Sequence, residues 1–191
     1  MSPPSDPADR VDEELAATAA ARIVDVTDFP NPGILFKDLT PLFADPSVFA
    51  QVTEWFARVG RAAGLGDGAG TVVGVESRGF LLGAPAALAL GVPFIPVRKA
   101  GKLPRAVLEQ SYDLEYGEAT LAVHADAFPT GGPVLLVDDV LATGGTASAA
   151  ASLIRRAGGA VVGFAFLLEL GFLAGRSHLS GVDVSSLIVT P

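Results

Sequence analysis

Short apolar runs alternate with segments of helical pattern, and this alternation constrains the chain more than anything else in it. Thr71 to Val75 is a β-branched run, Phe80 to Leu90 reads as an Ala/Leu helix ending at Gly91, and Val92 to Val97 is extended again. Val134 to Val137 and Val161 to Leu168 bracket a helix over Ala147 to Ala157, closed by Gly158-Gly159. Apolar runs without polar alternation are strands covered on both faces, and strands separated by helices at this spacing build a parallel sheet with right-handed crossovers. The expected fold is α/β, an open parallel sheet flanked by helices. Tyr112 to Val123, with Gly117 in its middle, predicts a hairpin.

Upstream, Asp6-Pro7 is a helix start signal, and Val11, Leu15 and Thr18 give that helix a narrow inner face. Residues 29–33 form a Pro/Gly loop with a brief extended stretch, 34–36, behind it. Asp45-Pro46-Ser47 opens a second helix whose Val48, Val52, Trp55, Phe56 and Val59 share one stripe. Residues 1–5 read as a disordered tail and 6–191 as a single domain, without repeats or a linker.

Mean hydropathy is +0.47, so a membrane span has to be considered. Gly79 to Val97 carries no charge, but Pro85, Pro93 and Pro96 with Gly83 and Gly91 cut it into helix and strand. No membrane association is expected. The acidic start of the chain has the wrong sign for a signal or transit peptide, and with no cysteine a reducing cytoplasm is the expected location. A net charge of −8 repels polyanions, so no nucleic-acid partner is expected.

In an open parallel sheet, ligands bind beyond the carboxyl ends of the strands. There the segment 134–146 reads as a strand that delivers Asp138 and Asp139, then a Gly/Thr turn, Ala142-Thr143-Gly144-Gly145-Thr146, opening directly into a helix. Free N–H groups at a helix N-terminus cradle anions and suit a phosphate monoester. The two acids suit sugar hydroxyls or a metal. The segment has neither a Walker Gly-Lys-Ser/Thr nor a Gly-x-Gly-x-x-Gly fingerprint. Between Glu76 and Glu109 there is no acid, yet Arg78, Arg98, Lys99, Lys102 and Arg105 all fall there, a fit to a diphosphate. The bland alternatives are a polar turn and a solvated basic surface. His124 and His178 have no metal-ligand spacing and read as structural, Asp38 and Asp67 as turn or cap residues, and Glu169 stands unexplained in an apolar run.

The 134–146 segment resembles the 5-phosphoribosyl 1-pyrophosphate (PRPP) signature of type I phosphoribosyltransferases. Phe29 to Asp38, Glu76 to Phe80, Arg98 to Pro104 and Ser111 to Gly117 resemble motifs of the adenine phosphoribosyltransferases, in order and at compatible spacing. The resemblance implies the type I fold with a small hood and a flexible lid hairpin at about 98–117. It implies purine salvage, in which adenine and PRPP give AMP and pyrophosphate.

By the same resemblance, Asp138 and Asp139 hold the ribose, and Ala142, Thr143, Gly144, Gly145 and Thr146 the 5′-phosphate. Glu76, Ser77, Arg78, Arg98, Lys99 and Lys102 bind pyrophosphate, with the Glu76-Ser77 peptide often cis in the family. Leu35, Lys37 and Leu170 contact adenine, Glu115 and Arg78 are the catalytic residues, and Tyr116 belongs to the lid. Lys37 stands where the family commonly has Arg, a change of little effect if only its main chain meets the base. Hypoxanthine-guanine enzymes carry Asp where this chain has Ala142, so the proton-handling carboxylate at the purine must come from elsewhere, and Glu115 is expected to supply it. Mg²⁺ is expected to arrive on PRPP oxygens rather than on protein ligands. Family members are dimers, so a homodimer is expected, with Arg98, Lys99 and Lys102 reaching the neighbouring site. The alternatives are a transferase for another purine base and a PRPP-binding regulator.

Overall fold

The structure, a computed structural model, describes residues 7–113 and 118–191. The 1–5 tail, Asp6, and Glu115 and Tyr116 in the hairpin lie outside the described residues, as does the side chain of Val11. The chain divides into two compact units, one up to Trp55 and one from Phe56 onward.

The smaller unit holds α1 (Pro7–Ala20), β1 (Val24–Thr27), β2 (Leu35–Asp38), α2 (Thr40–Ala44) and the start of α3 (Pro46–Ala62). Leu15 and Ala19, one turn apart on α1, are buried, while Thr18 is only partly so. β1 and β2 pair antiparallel, Val24 opposite Asp38 and Thr27 opposite Leu35. Their connecting loop is tied by the Gly33 N–H, which donates to Asp28 Oδ1 at 2.7 Å, and by an edge-to-face contact of Phe29 on Phe36. Asp38 caps the next turn through the Thr40 N–H at 2.9 Å. Asp45 caps α3, accepting from the Ser47 and Val48 N–H groups, as the Asp-Pro-Ser signal predicts. Those N–H groups, the Val48 one foremost, and the Arg22 guanidinium hold its carboxyl below the usual carboxylate range.

The larger unit carries β3 (Thr71–Val75), α4 (Gly79–Leu90), β4 (Phe94–Lys99), β5 (Val107–Asp113), β6 (Glu118–His124), β7 (Pro133–Leu141), α5 (Gly145–Arg156), β8 (Ala160–Leu170) and β9 (Asp183–Thr190). Its sheet runs β5-β6-β4-β3-β7-β8-β9. β4, β3, β7, β8 and β9 are mutually parallel, and the β5–β6 hairpin joins antiparallel along β4. The hairpin starts at Val107 rather than at Tyr112 and includes Glu109 and Gln110, because polar residues on an edge strand blur the apolar pattern. β9, which carries the short apolar run Leu187-Ile188-Val189, is a strand beyond those expected from the sequence.

Every residue of β3 is buried, as a two-faced strand requires. On β7, Val134 and Leu136 enter the cluster beneath α5 with Leu153, Ile154, Phe164 and Phe166. Leu135 turns the other way, toward the end of α3, where a Cβ on Gly60 would lie 3.5 Å from it. β3 and β7 therefore sit centrally, and their carboxyl ends open side by side.

Candidate active site

At those ends lies a cavity of about 340 Å³ lined by residues 76–78, Tyr112, residues 138–147 and Phe166. Four pieces of chain build it: the β3–α4 junction, the end of β7 with the turn into α5, the β5 strand, and Phe166 on β8. The Glu76-Ser77 peptide at the first junction is cis.

Asp138 and Asp139 lie inside β7 rather than after it, and both are buried. A buried carboxylate pair is costly, and the site only partly relieves it. Asp138 Oδ1 accepts the Asp139 N–H at 2.9 Å. Asp139 Oδ2 stands 2.6 Å from Arg78 Nε, an ion pair by distance, yet among the described residues it accepts no hydrogen bond of sound geometry. Burial first, and the Asp139 charge second, push the Asp138 carboxyl well above the usual carboxylate range. Gly79 makes this close approach possible, since a Cβ there would fall 2.7 Å from Asp138 Oδ1 and 3.0 Å from the Val137 carbonyl.

The turn behaves as its Gly/Thr composition predicts. Gly144, at φ 84°, is the N-cap of α5, and among the described residues no side chain caps the helix. The N–H groups of its first turn have no intrahelical acceptor and form a positive, anion-accepting end. Thr146 Oγ1 donates to the Tyr112 hydroxyl at 3.2 Å, linking the turn to β5.

The basic residues are distributed differently from a simple clamp. Arg98 binds Glu76 through Nε at 3.1 Å and Nη2 at 3.4 Å, and donates from Nη1 to the Lys102 carbonyl at 3.0 Å. Burial tends to raise the Glu76 carboxyl, but the Lys99 N–H and the Arg98 guanidinium outweigh it and hold it below its usual range. Glu76 is thus the anchor that orders the Arg98-to-Lys102 turn, with Lys99 and Lys102 on the exposed surface. Arg105 pairs with Asp126 at 3.0 Å.

Leu170 ends β8 and is partly buried; in the other unit, Leu35 is half exposed on β2 and Lys37 Nζ binds Asp25 at 2.7 Å. His124 Nε2 faces the Pro104 carbonyl at 2.8 Å, in keeping with a structural reading. Glu169 acquires a partner: Arg176 donates to its two oxygens at 3.1 and 2.5 Å, and Ser186 Oγ at 2.6 Å. Arg176, helped by Ser186, holds the Glu169 carboxyl below its usual range. Tyr112, Phe166 and Arg176 were not singled out from the sequence. The one available signal was Glu169, an acid in an apolar run that demands a cation.

Among the described residues no group of three or more His, Cys, Asp or Glu side chains is placed to hold a metal, and no helix is long and apolar enough to cross a membrane.

The phosphoribosyl transferase domain signature matches residues 39–184. The chain is 61% identical over 159 residues to an adenine phosphoribosyltransferase of Streptomyces coelicolor, covering 83% of this chain and 85% of that protein. The crystal structure of adenine phosphoribosyltransferase from Thermoanaerobacter pseudethanolicus superposes with a TM-score of 0.85 at 44% identity, over 92% of this chain and 99% of that one. The Saccharomyces cerevisiae enzyme, complexed with an imino-altritol bisphosphate and adenine, gives a TM-score of 0.85 at 39% identity, over 92% and 99% of the two chains.

Proposed function

The chain belongs to the phosphoribosyl transferase domain family and, within it, to the adenine phosphoribosyltransferases, and from that premise we propose that it joins adenine to PRPP, giving AMP and pyrophosphate in purine salvage. The observation that carries this reading at the site is the pairing, in one cavity, of a buried acid pair with an uncapped helix N-terminus. Acids accept from hydroxyls and the bare N–H groups donate to phosphate, so a phosphorylated pentose satisfies both.

In the proposed reaction the C1′–N9 bond forms as the C1′–oxygen bond to pyrophosphate breaks, and the bonding pair leaves with the pyrophosphate. The sugar passes through an oxocarbenium-like state, so orientation and neutralisation of the leaving group supply the rate. Asp138 and Asp139 are proposed to fix the ribose hydroxyls, and 142–146 the 5′-phosphate. Arg78, now paired with Asp139, would turn to the pyrophosphate as the ribose takes its place. Ser77 and the Glu76-ordered turn bearing Arg98, Lys99 and Lys102 would complete the leaving-group contacts. Glu115 is proposed to take the N9 proton and Tyr116 to belong to the closing lid. Leu170 is proposed as an apolar contact to adenine. Leu35 and Lys37 keep the role the resemblance implies, and with the Lys37 ammonium engaged by Asp25 the proposed contact to the base is through its main chain.

Mg²⁺ fits this donor set as an ion carried on PRPP, because the acid pair offers hard oxygens, while among the described residues no group of three His, Cys, Asp or Glu side chains is placed to hold a metal. When bound, it would neutralise pyrophosphate charge. A homodimer is proposed too, supported by α4: Leu81 and Leu88 lie two turns apart on its outer face at 48% and 84% exposure. A cytoplasmic location fits a chain without cysteine.

The test is turnover with adenine, hypoxanthine, guanine and xanthine in competition, with and without Mg²⁺. AMP as the dominant, Mg²⁺-dependent product supports the reading. Preference for another base would move the chain to a sister activity, and PRPP binding without any nucleotide product would make it a regulator.

A further inference from the structure

Behind the turn that opens α5 runs a segment with no part in the proposed chemistry. After β8 the chain makes two 3₁₀ turns, Gly171–Leu173 and Gly175–His178, and packs against the rear of 142–144. A Cβ on Gly175 would lie 2.0 Å from the Ala142 carbonyl oxygen, and one on Gly144 would lie 2.5 Å from the Gly175 oxygen. Two backbones this close leave room only for glycine on both sides. Arg176 secures the segment from below by its bonds to buried Glu169 and to the Val184 carbonyl.

His178 links this segment to the turn through its side chain, with Nδ1 2.6 Å from the Thr143 carbonyl oxygen. A carbonyl only accepts, so Nδ1 carries the hydrogen and donates. The Thr143–Gly144 peptide is trans, the cis bonds being Phe29-Pro30 and Glu76-Ser77. In a planar trans peptide the carbonyl and the following N–H point in opposite directions. Holding the Thr143 carbonyl toward His178 therefore aims the Gly144 N–H away from it. His178 itself is exposed and is not among the residues that line the cavity.

We propose that His178 is a positioning residue for phosphate recognition: its hydrogen bond to the Thr143 carbonyl fixes the peptide whose N–H, on Gly144, meets the phosphate of the bound pentose. The inference rests on the reading of 142–146 as the 5′-phosphate cradle. It predicts an effect confined to phosphate-bearing ligands, which general loosening of the fold would not produce.

The experiment compares the full chain with His178→Ala and His178→Asn. Steady-state kinetics give kcat and the KM of each substrate, and calorimetric titration gives affinities for AMP and for adenosine. In His178→Ala the KM for PRPP should rise about fivefold and AMP affinity fall by a similar factor, the scale of one hydrogen bond. The KM for adenine, kcat and adenosine affinity should stay within about twofold, and Tm within about 2 °C, as for an exposed side chain. His178→Asn should restore PRPP binding, since its amide nitrogen lies as many bonds from the main chain as Nδ1. An unchanged KM for PRPP, an equal loss of adenosine affinity, or no rescue by Asn overturns the proposal. If the unaltered protein binds AMP no more tightly than adenosine, the cradle reading itself falls, and this inference with it. If AMP is favoured but His178→Ala leaves that preference intact, only the inference about His178 falls.

Discussion

Replacing Asp138 with Asn should make the ligand-free protein more stable while making it a poorer enzyme. Asp138 and Asp139 are both buried, with Arg78 Nε in ion-pair contact with the second. Two unit charges roughly 4 Å apart at an effective dielectric near 20 repel by about 4 kcal/mol. Arg78, 31% exposed at its side chain, offsets part of this, leaving about 1–2 kcal/mol as the cost of ionising Asp138 at neutral pH. Asn has the shape of the protonated acid. Its Oδ1 can keep the Asp139 N–H, and its Nδ2 can donate to the neighbouring carboxylate, which has an oxygen without a hydrogen bond. For a chain of this length the gain corresponds to about 2–8 °C in Tm.

The pH dependence follows from the direction of the shift. The folded-state pKa of Asp138 is raised, so its contribution to stability is fully present below the unfolded-state pKa and is lost as pH rises through the folded one. The advantage of Asn is therefore largest near neutrality and shrinks on acidification. Scanning calorimetry of both proteins without ligand, from about pH 8 down to about pH 4, close to the unfolded-state value, measures it. AMP formation in the same variant should fall about 10²-fold, the scale of a lost polar contact to the reacting sugar. A lower Tm at neutral pH, or a gain that does not change with pH, would refute the reasoning.

Three further outcomes are expected. Arg176→Met strands the Glu169 carboxylate, whose side chain is 8% exposed, and should cost about 2–3 kcal/mol, less than a fully buried pair because Arg176 is half exposed; urea unfolding reads it, and Glu169→Leu added to it should recover most of the loss. Glu76→Gln removes the anchor of Arg98 and Lys99 and should raise the KM for pyrophosphate in the reverse reaction several-fold, about the scale of one charge-assisted bond, with the KM for AMP little changed. Leu88→Glu puts a charge on the outer apolar face of α4 and should shift the sedimentation coefficient from dimer to monomer; an unaltered dimer would mean that another surface pairs the subunits.

The sequence by itself determined the parts that depend on local pattern. Apolar runs with no polar alternation marked the central parallel strands, Asp45-Pro46-Ser47 marked the start of α3, and Val134 to Thr146 marked acids and a bare helix end at a strand terminus. These signals are local because strand burial, capping and turn conformation are set by neighbours along the chain. What the fold decided were contacts between distant segments. Glu169 looked anomalous until β8, the 3₁₀ turn and β9 brought Arg176 and Ser186 to it. Arg98 looked like a free phosphate ligand until β3 and β4 paired and gave it Glu76. The raised Asp138 carboxyl and the brace of His178 behind Thr143 likewise arise from burial and, for the latter, from an approach of groups 35 residues apart along the chain but only ångströms apart in space. No periodicity encodes them, because charge pairing and close backbone contact depend on where the sheet order places each strand end.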